Sequence, residues 1–182
     1  MHGTEAPSSW ITRHTHLIKP GATVLDLACG YGRHTRFFAQ RGCTVTALDR
    51  DAQALAALAD VQCEIVQADI ESGPWPLAGR AFDAVIVTNY LWRSLLLVIV
   101  DSVAPGGVLI YETFARGNET VGKPSNPNFL LAPGELLSTA HGALRVIAYE
   151  DGFLADPQRF VQRVVAVRES ASAVAMRYHL PQ

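Results

Sequence analysis

No run of lysine or arginine occurs anywhere in these 182 residues, and the formal net charge is only −2. Electrostatic capture of nucleic acid or of an anionic membrane therefore has no footprint in the sequence. Long hydrophobic runs are missing too. The most apolar stretch, 91–103, is broken by Arg93 and Asp101 and is too short to span a bilayer. The opening residues, MHGTEAPSSW, lack the charged-then-apolar profile of a secretory signal. Cysteine is scarce and odd in number: Cys29, Cys43 and Cys63 lie far apart, in none of the paired spacings of a zinc site. They read as reduced, mostly buried thiols, so the expectation is a cytoplasmic protein with no metal. Neither repeats nor a linker interrupt the chain, which predicts one domain over 1–182, with 1–9 flexible and an unpatterned tail over 169–182.

What is present is apolar residue, at 49% against 18% charged, enough for a substantial core. Short apolar runs alternate with helix-like stretches, the pattern of a parallel α/β sheet. Strands are predicted at 23–27, 44–48, 63–67, 82–88 and 108–113, and helices at 33–42, 51–60 and 92–104. The last of these is β-branched enough for a strand, but a parallel crossover requires a helix there. A loop rich in proline, glycine and asparagine covers 114–134, and loops of that length in compact domains are commonly functional. A short helix at 133–140 and strands at 144–151 and 159–168 complete the reading, the strands as an antiparallel edge hairpin. The fold class is thus α/β, a Rossmann-like, doubly wound, mostly parallel sheet of about seven strands.

Ligands of such sheets bind beyond the carboxyl ends of the strands. The polar residues gather there. Asp26, Gly30 and Gly32 follow the first strand, Asp49 closes the second, and Asp69 follows the third. Asn89 and Tyr90 follow the fourth, and Glu112 and Thr113 end the fifth. Gly30 and Gly32 let the backbone turn sharply and approach a ligand, while the next helix aims free N–H groups at the same space. An acid about twenty residues beyond the glycines suits the two hydroxyls of a ribose, and that acid is Asp49, which also fits as a helix N-cap beside Asp51. A nicotinamide-binding turn wants glycine at 28, 30 and 33; here Ala28 and Arg33 depart from it.

The stretch VLDLACGYGRHT resembles the first motif of class I S-adenosylmethionine-dependent methyltransferases, with Ala28 in place of its first glycine. ALDRD is similar to their ribose-binding second motif, VQADIE to their third, and FDAVIVTNYLW with APGGVLIYETF to their fourth and fifth strands. The small size resembles bacterial tellurite-resistance-type and other small-molecule members. The resemblance implies S-adenosyl-L-methionine as cofactor, leaving S-adenosyl-L-homocysteine as product. It implies that Asp26 and the turn at Ala28, Gly30 and Gly32 hold the methionine end. Asp49 would take the ribose, with Arg50 beside it; Asp69 and Ile70 would flank the adenine; Thr88 and Asn89 would line the sulfonium centre.

Near the methyl, the candidates for acting on substrate are Asn89, Tyr90, Arg93 and Glu112, with Trp92, Arg116, Asn118 and Glu119 close in sequence. Arg93 or Arg116 suits an anionic substrate. The fourth-strand exit reads TNYLW rather than the NPPY-type sequence of base and amide methylases, which favours a small-molecule acceptor over nucleic acid. A nicotinamide-dependent oxidoreductase and a non-catalytic relative of the fold stand as alternatives. His14 and His16 diverge if helical, Cys29 reads as a turn-filler, Tyr31 as either lid or sheet cover, and His34 as a surface residue.

Overall fold

The computed structural model describes residues 5–171 and 176–181. Seven strands form one sheet: β1 (Thr23–Leu27), β2 (Thr44–Asp49), β3 (Glu64–Gln67), β4 (Phe82–Thr88), β5 (Val103–Phe114), β6 (Arg145–Ala155) and β7 (Gln158–Val167). Their order is β3-β2-β1-β4-β5-β7-β6, with the first five parallel and the β6–β7 hairpin antiparallel at one edge. Strand order reverses between β1 and β4, which opens a crevice at their carboxyl ends.

Both faces of the sheet are covered, so the central strands are apolar on successive residues rather than on alternate ones. Leu25, Leu27, Val85, Val87, Leu109 and Tyr111 pack on one side against α4 (Leu96–Asp101) and α5 (Glu135–Ala140). Val24, Ile86, Val108 and Ile110 pack on the other against Trp10 and Ile11 of α1 (Ser9–Arg13) and Phe38 of α2 (Arg33–Gln40).

Three elements differ from their sequence reading. The predicted helix at 51–60 is shortened to α3 (Ala52–Ala56), after which i→i+3 bonds tighten the chain into turns as far as Val61. Residues 92–104 divide into a 3₁₀ turn (Arg93–Leu95), α4, and the first residues of a longer β5. Val103 already pairs with Phe82 there, across a register shift that absorbs Ala104–Gly107. Within the stretch expected to be flexible, 1–9, Ser8 is held: it is buried and caps α1 by accepting the Trp10 N–H at 3.2 Å. Residues 1–4 lie outside the described residues. In the tail, Tyr178 lies beneath the Arg145 guanidinium at 5.5 Å, and the His179 carbonyl is bonded to His16 Nε2 at 2.8 Å.

Ser8 is held from below by Glu112, whose Oε1 accepts the Ser8 hydroxyl at 2.8 Å. Glu112 is fully buried and pairs with Arg163 Nε at 2.6 Å and, more distantly, with Arg159 at 3.8 Å. Arg163 also lies over the Trp10 ring at 5.6 Å and reaches Glu150 at 3.2 Å. One carboxylate thus joins the N-terminal segment, β5 and β7. Removing a partner from a buried ion pair leaves a desolvated charge. Glu112→Ala is therefore expected to lose about 3 kcal/mol of stability in urea unfolding. Glu150→Ala, whose carboxylate is 45% exposed, is expected to lose less than about 1 kcal/mol. Equal losses would remove Glu112 from this role.

Candidate functional site

The turn after β1 is built from left-handed backbone. Ala28, Gly30 and Gly32 have φ of 52°, 53° and 76°. Gly32 needs to be glycine on two counts, because a Cβ there would also lie 2.2 Å from Leu58 Cδ2. The missing side chain lets the start of α2 settle against the turns that follow α3. Among the described residues only two that are not glycine have positive φ, Ala28 and Asn89 (54°), and both line the same crevice. Strained backbone concentrated at one concavity marks a functional edge.

Asp49 sets the shape of that edge. Its Oδ2 accepts the Gly30 N–H at 2.8 Å and its Oδ1 accepts the Asp51 N–H at 2.9 Å. Asp51, not Asp49, caps α3, accepting the N–H groups of Gln53 at 2.8 Å and Ala54 at 3.2 Å. The choice left open between the two acids is resolved by this division of work. Each Asp49 oxygen carries a second lone-pair direction, so the carboxylate can still accept two further bonds.

Two adjoining cavities flank Ala28. One, of about 150 Å³, is lined by Leu48, Asp49, Arg50, Ala68, Asp69, Ile70, Glu71 and Tyr90. The other, of about 240 Å³, is lined by Glu5, Cys29, Gly30, Tyr31, Gly32, Arg33, Thr88 and Asn89. Of the residues expected to bind cofactor, Ala28, Gly30, Gly32, Asp49, Arg50, Asp69, Ile70, Thr88 and Asn89 are therefore brought together. Asp69 accepts the Ser72 hydroxyl at 2.6 Å and the Glu71 N–H at 3.0 Å, and these bonds, Ser72 first, hold its carboxyl below the usual range. Arg50 reaches Glu71 at 3.5 Å. Tyr90 has a buried hydroxyl beside Glu71, and burial first, then the Glu71 carboxylate, pushes its phenol up. It can act there as a donor, not as a base.

Three expected site residues are placed elsewhere. Asp26 is buried behind the turn and accepts the Thr35 hydroxyl at 2.6 Å; it braces α2 against β1 and lines neither cavity. Arg93 is committed to Glu135, with Nε and Nη2 bonded at 2.7 and 3.0 Å, and to the carbonyls of Asn128 and Leu130 at 2.8 and 2.9 Å. It clamps the 114–134 loop and is not free to bind substrate. Glu112, also read as catalytic, is the buried carboxylate beneath Ser8. Further along the loop, Asn118 is structural as well, donating to the Pro124 carbonyl at 3.0 Å and accepting the Phe160 N–H at 3.2 Å.

Other residues were not legible. Glu5, Leu48 and Glu71 line the crevice without a motif to mark them, and Arg33 was read only as a departure from a glycine. His34 is not on the surface: it is buried, burial holds its imidazole down to about 3, and its neutral Nε2 accepts the Ser8 N–H at 3.1 Å. Burial likewise pushes the Cys29 thiol up, as befits a turn-filler. Among the described residues no group of three or more His, Cys, Asp or Glu is placed to hold a metal ion, and no helix is long and apolar enough to cross a membrane.

Burial outweighs the Thr35 bonds at Asp26 and raises its pKa from 3.8 to about 6. A folded-state value above the unfolded one means that the native state binds the proton more tightly. Stability from this group is thus present below pH 4 and lost as pH rises toward 6, a change of about 3 kcal/mol. Asp26→Asn is expected to remove that slope, so the variant overtakes the wild type in thermal melts above pH 6. A wild-type advantage that does not shrink between pH 4 and 6 would contradict it.

The model of a family described as a methyltransferase domain matches residues 24–107, from β1 into β5. A malonyl-acyl-carrier protein O-methyltransferase of Enterobacter lignolyticus is 40% identical over 107 residues, covering 52% of this chain and 39% of the relative. The chain thus spans about two fifths of the length of that curated relative. Among solved structures, TehB from Haemophilus influenzae superposes with a TM-score of 0.74 at 19% identity, covering 92% of this chain and 64% of that one. A TehB-like S-adenosylmethionine-dependent methyltransferase from Corynebacterium glutamicum gives 0.65 at 17% identity, covering 91% and 90%. Residues 24–107 thus match a methyltransferase domain, and the chain has the Rossmann-like fold of these solved neighbours.

Proposed function

We propose that this protein transfers the methyl group of S-adenosyl-L-methionine to a small-molecule acceptor. One observation carries the reading: the bond from Gly30 N–H to Asp49 Oδ2 makes the glycine turn and the second-strand acid a single wall of one crevice. The residues present fit the cofactor. Asp49 keeps a free acceptor direction on each oxygen for a ribose diol, and the crevice continues from Asp69 and Ile70 on one side to Thr88 and Asn89 on the other.

The bound cofactor supplies an electrophilic methyl already activated by its sulfonium. The task left to the chain is alignment and exclusion of water. Orientation of bound reactants is worth roughly 7–11 kcal/mol in favourable cases. Asp49 would hold the ribose, Ile70 and Asp69 would border the adenine, and the buried Tyr90 hydroxyl would offer a donor at the same cavity. Thr88 and Asn89 would flank the acceptor, with Asn89 held in its left-handed conformation by the bond from its N–H to the Glu112 carbonyl at 2.9 Å. A carboxylate or thiolate acceptor would need no general base. The similarity to a malonyl-acyl-carrier protein O-methyltransferase makes small carboxylates the first class to screen, beside thiols and metalloid oxyanions.

Calorimetric titration tests the cofactor. S-adenosylhomocysteine is expected to bind and NADH not to. Asp49→Ala is expected to lose about 1.5–3 kcal/mol of that affinity, the range for hydrogen bonds to a charged group. NADH binding without S-adenosylhomocysteine binding would favour an oxidoreductase, and no nucleoside binding would overturn both.

A further inference from the structure

The buried joint beneath Ser8 holds a surplus positive charge. Its ion pairs link three arginines, Arg13, Arg159 and Arg163, to two carboxylates, Glu112 and Glu150. Glu112 is satisfied without Arg159: its Oε2 lies 2.6 Å from Arg163 Nε, and its Oε1 accepts the Ser8 hydroxyl at 2.8 Å. Arg159 approaches Glu112 only to 3.8 Å, beyond hydrogen-bond range. Its Nε is buried without a hydrogen-bond partner among the described residues, and its side chain is 19% exposed. A cation withdrawn from water and so loosely paired is costly. A guanidinium with open donors in that setting is matched by an anion.

The place of Arg159 in the sheet indicates which anion. β5 and β7 pair as far as Phe114 and Val161, so Arg159 stands two residues past the carboxyl end of β5, on the ligand edge. Side chains alternate along a strand, and Arg159 therefore shares the face of Arg163, whose register partner is Glu112. Glu112 in turn lies opposite Thr88 of β4, and its carbonyl accepts the Asn89 N–H at 2.9 Å. Thr88 and Asn89 line the cavity of about 240 Å³. Two strand spacings, about 10 Å, separate the β4 exit from β7, which leaves room for a small molecule between them. Arg93, expected to hold an anion, is closed on Glu135 and the loop carbonyls and does not compete for it.

We propose that Arg159 binds the methyl acceptor and that the acceptor is accordingly a small oxyanion, either a carboxylate or an inorganic oxyanion of similar size. The inference rests on the methyl-transfer reading above and gives it a substrate class. A guanidinium presents a planar fork of N–H groups to two oxygens of one anion, which fixes orientation as well as charge. Glu112 does not repel the ligand, because Arg163 already balances its carboxylate at close range. The joint that holds the N-terminal segment thus also carries, on its ligand-edge side, the cation that selects the substrate.

Calorimetry on the full chain saturated with S-adenosylhomocysteine tests this, with malonate and selenite as probes and neutral malonamide as control, all at one ionic strength. The wild-type complex is expected to bind malonate or selenite, the tighter of the two telling a carboxylate acceptor from an inorganic one, and not to bind malonamide. Arg159→Gln is expected to weaken anion binding about tenfold, as for loss of a charge-assisted bond. Its S-adenosylhomocysteine affinity is expected to stay within about twofold, which also verifies that the variant is folded. Arg159→Lys, which keeps the charge beside Glu112 but not the fork, is expected to lose about threefold, and it carries the test if the glutamine variant does not fold. Unchanged anion affinity in the folded variant, malonamide bound as tightly as malonate, or no anion binding by a complex that holds S-adenosylhomocysteine would overturn the proposal and leave the cofactor reading intact. A wild type that does not bind S-adenosylhomocysteine would overturn both.

Discussion

The bond from the Gly30 N–H to Asp49 Oδ2 ties the two halves of the site into one surface. It crosses from the turn after β1 to the end of β2, neighbours in the sheet, and it requires left-handed backbone on the turn side. Ala28 accepts that conformation without glycine's freedom, which costs local strain, and the bond from Cys29 N–H to the Leu48 carbonyl at 3.1 Å helps to hold it. Because Asp51 caps α3, Asp49 is released from helix duty and faces the crevice. The carboxylate is oriented by backbone before any ligand arrives, which is how a binding site avoids reorganisation.

Charged residues outside that turn do a different kind of work. Glu112, Arg163 and Ser8 form a buried polar joint between the edge hairpin, β5 and the N-terminal segment. Arg93 and Glu135 form a second joint that closes the long loop. Acids and arginines at strand ends look alike in a sequence whether they face ligand or brace scaffold. What separates them is which face of the sheet the side chain takes and what covers that face. Glu112 shares the face of Val108 and Ile110, under Trp10, and so is sealed from solvent.

The two sides of the site consequently have different origins. The floor comes from β1, β2 and β4 and their exits, within the part of the chain that matches the methyltransferase domain. A flank is added by the segment before α1, held in place by His34 and Glu112. His34 performs this as a neutral acceptor, since burial keeps its ring unprotonated at ordinary pH.

The sequence by itself determined the sheet, because buried parallel strands are readable as apolar runs, and it determined the turn and Asp49, because sharp backbone turns demand small residues at set positions. β1 and β4 matched their expected bounds, and the hairpin lay within a few residues of its own. Only the tertiary structure decided which polar residues face the crevice. Asp26, Arg93 and Glu112 stand at strand exits like their functional neighbours, yet Thr35, Glu135 and Arg163 claim them. Those partners lie 9, 42 and 51 residues away in the chain. Glu5 sits in no patterned stretch, and His34, inside the motif and its helix, was read as a surface residue; the burial of His34 arises from a contact between the N-terminal segment and α2 that local spacing cannot encode.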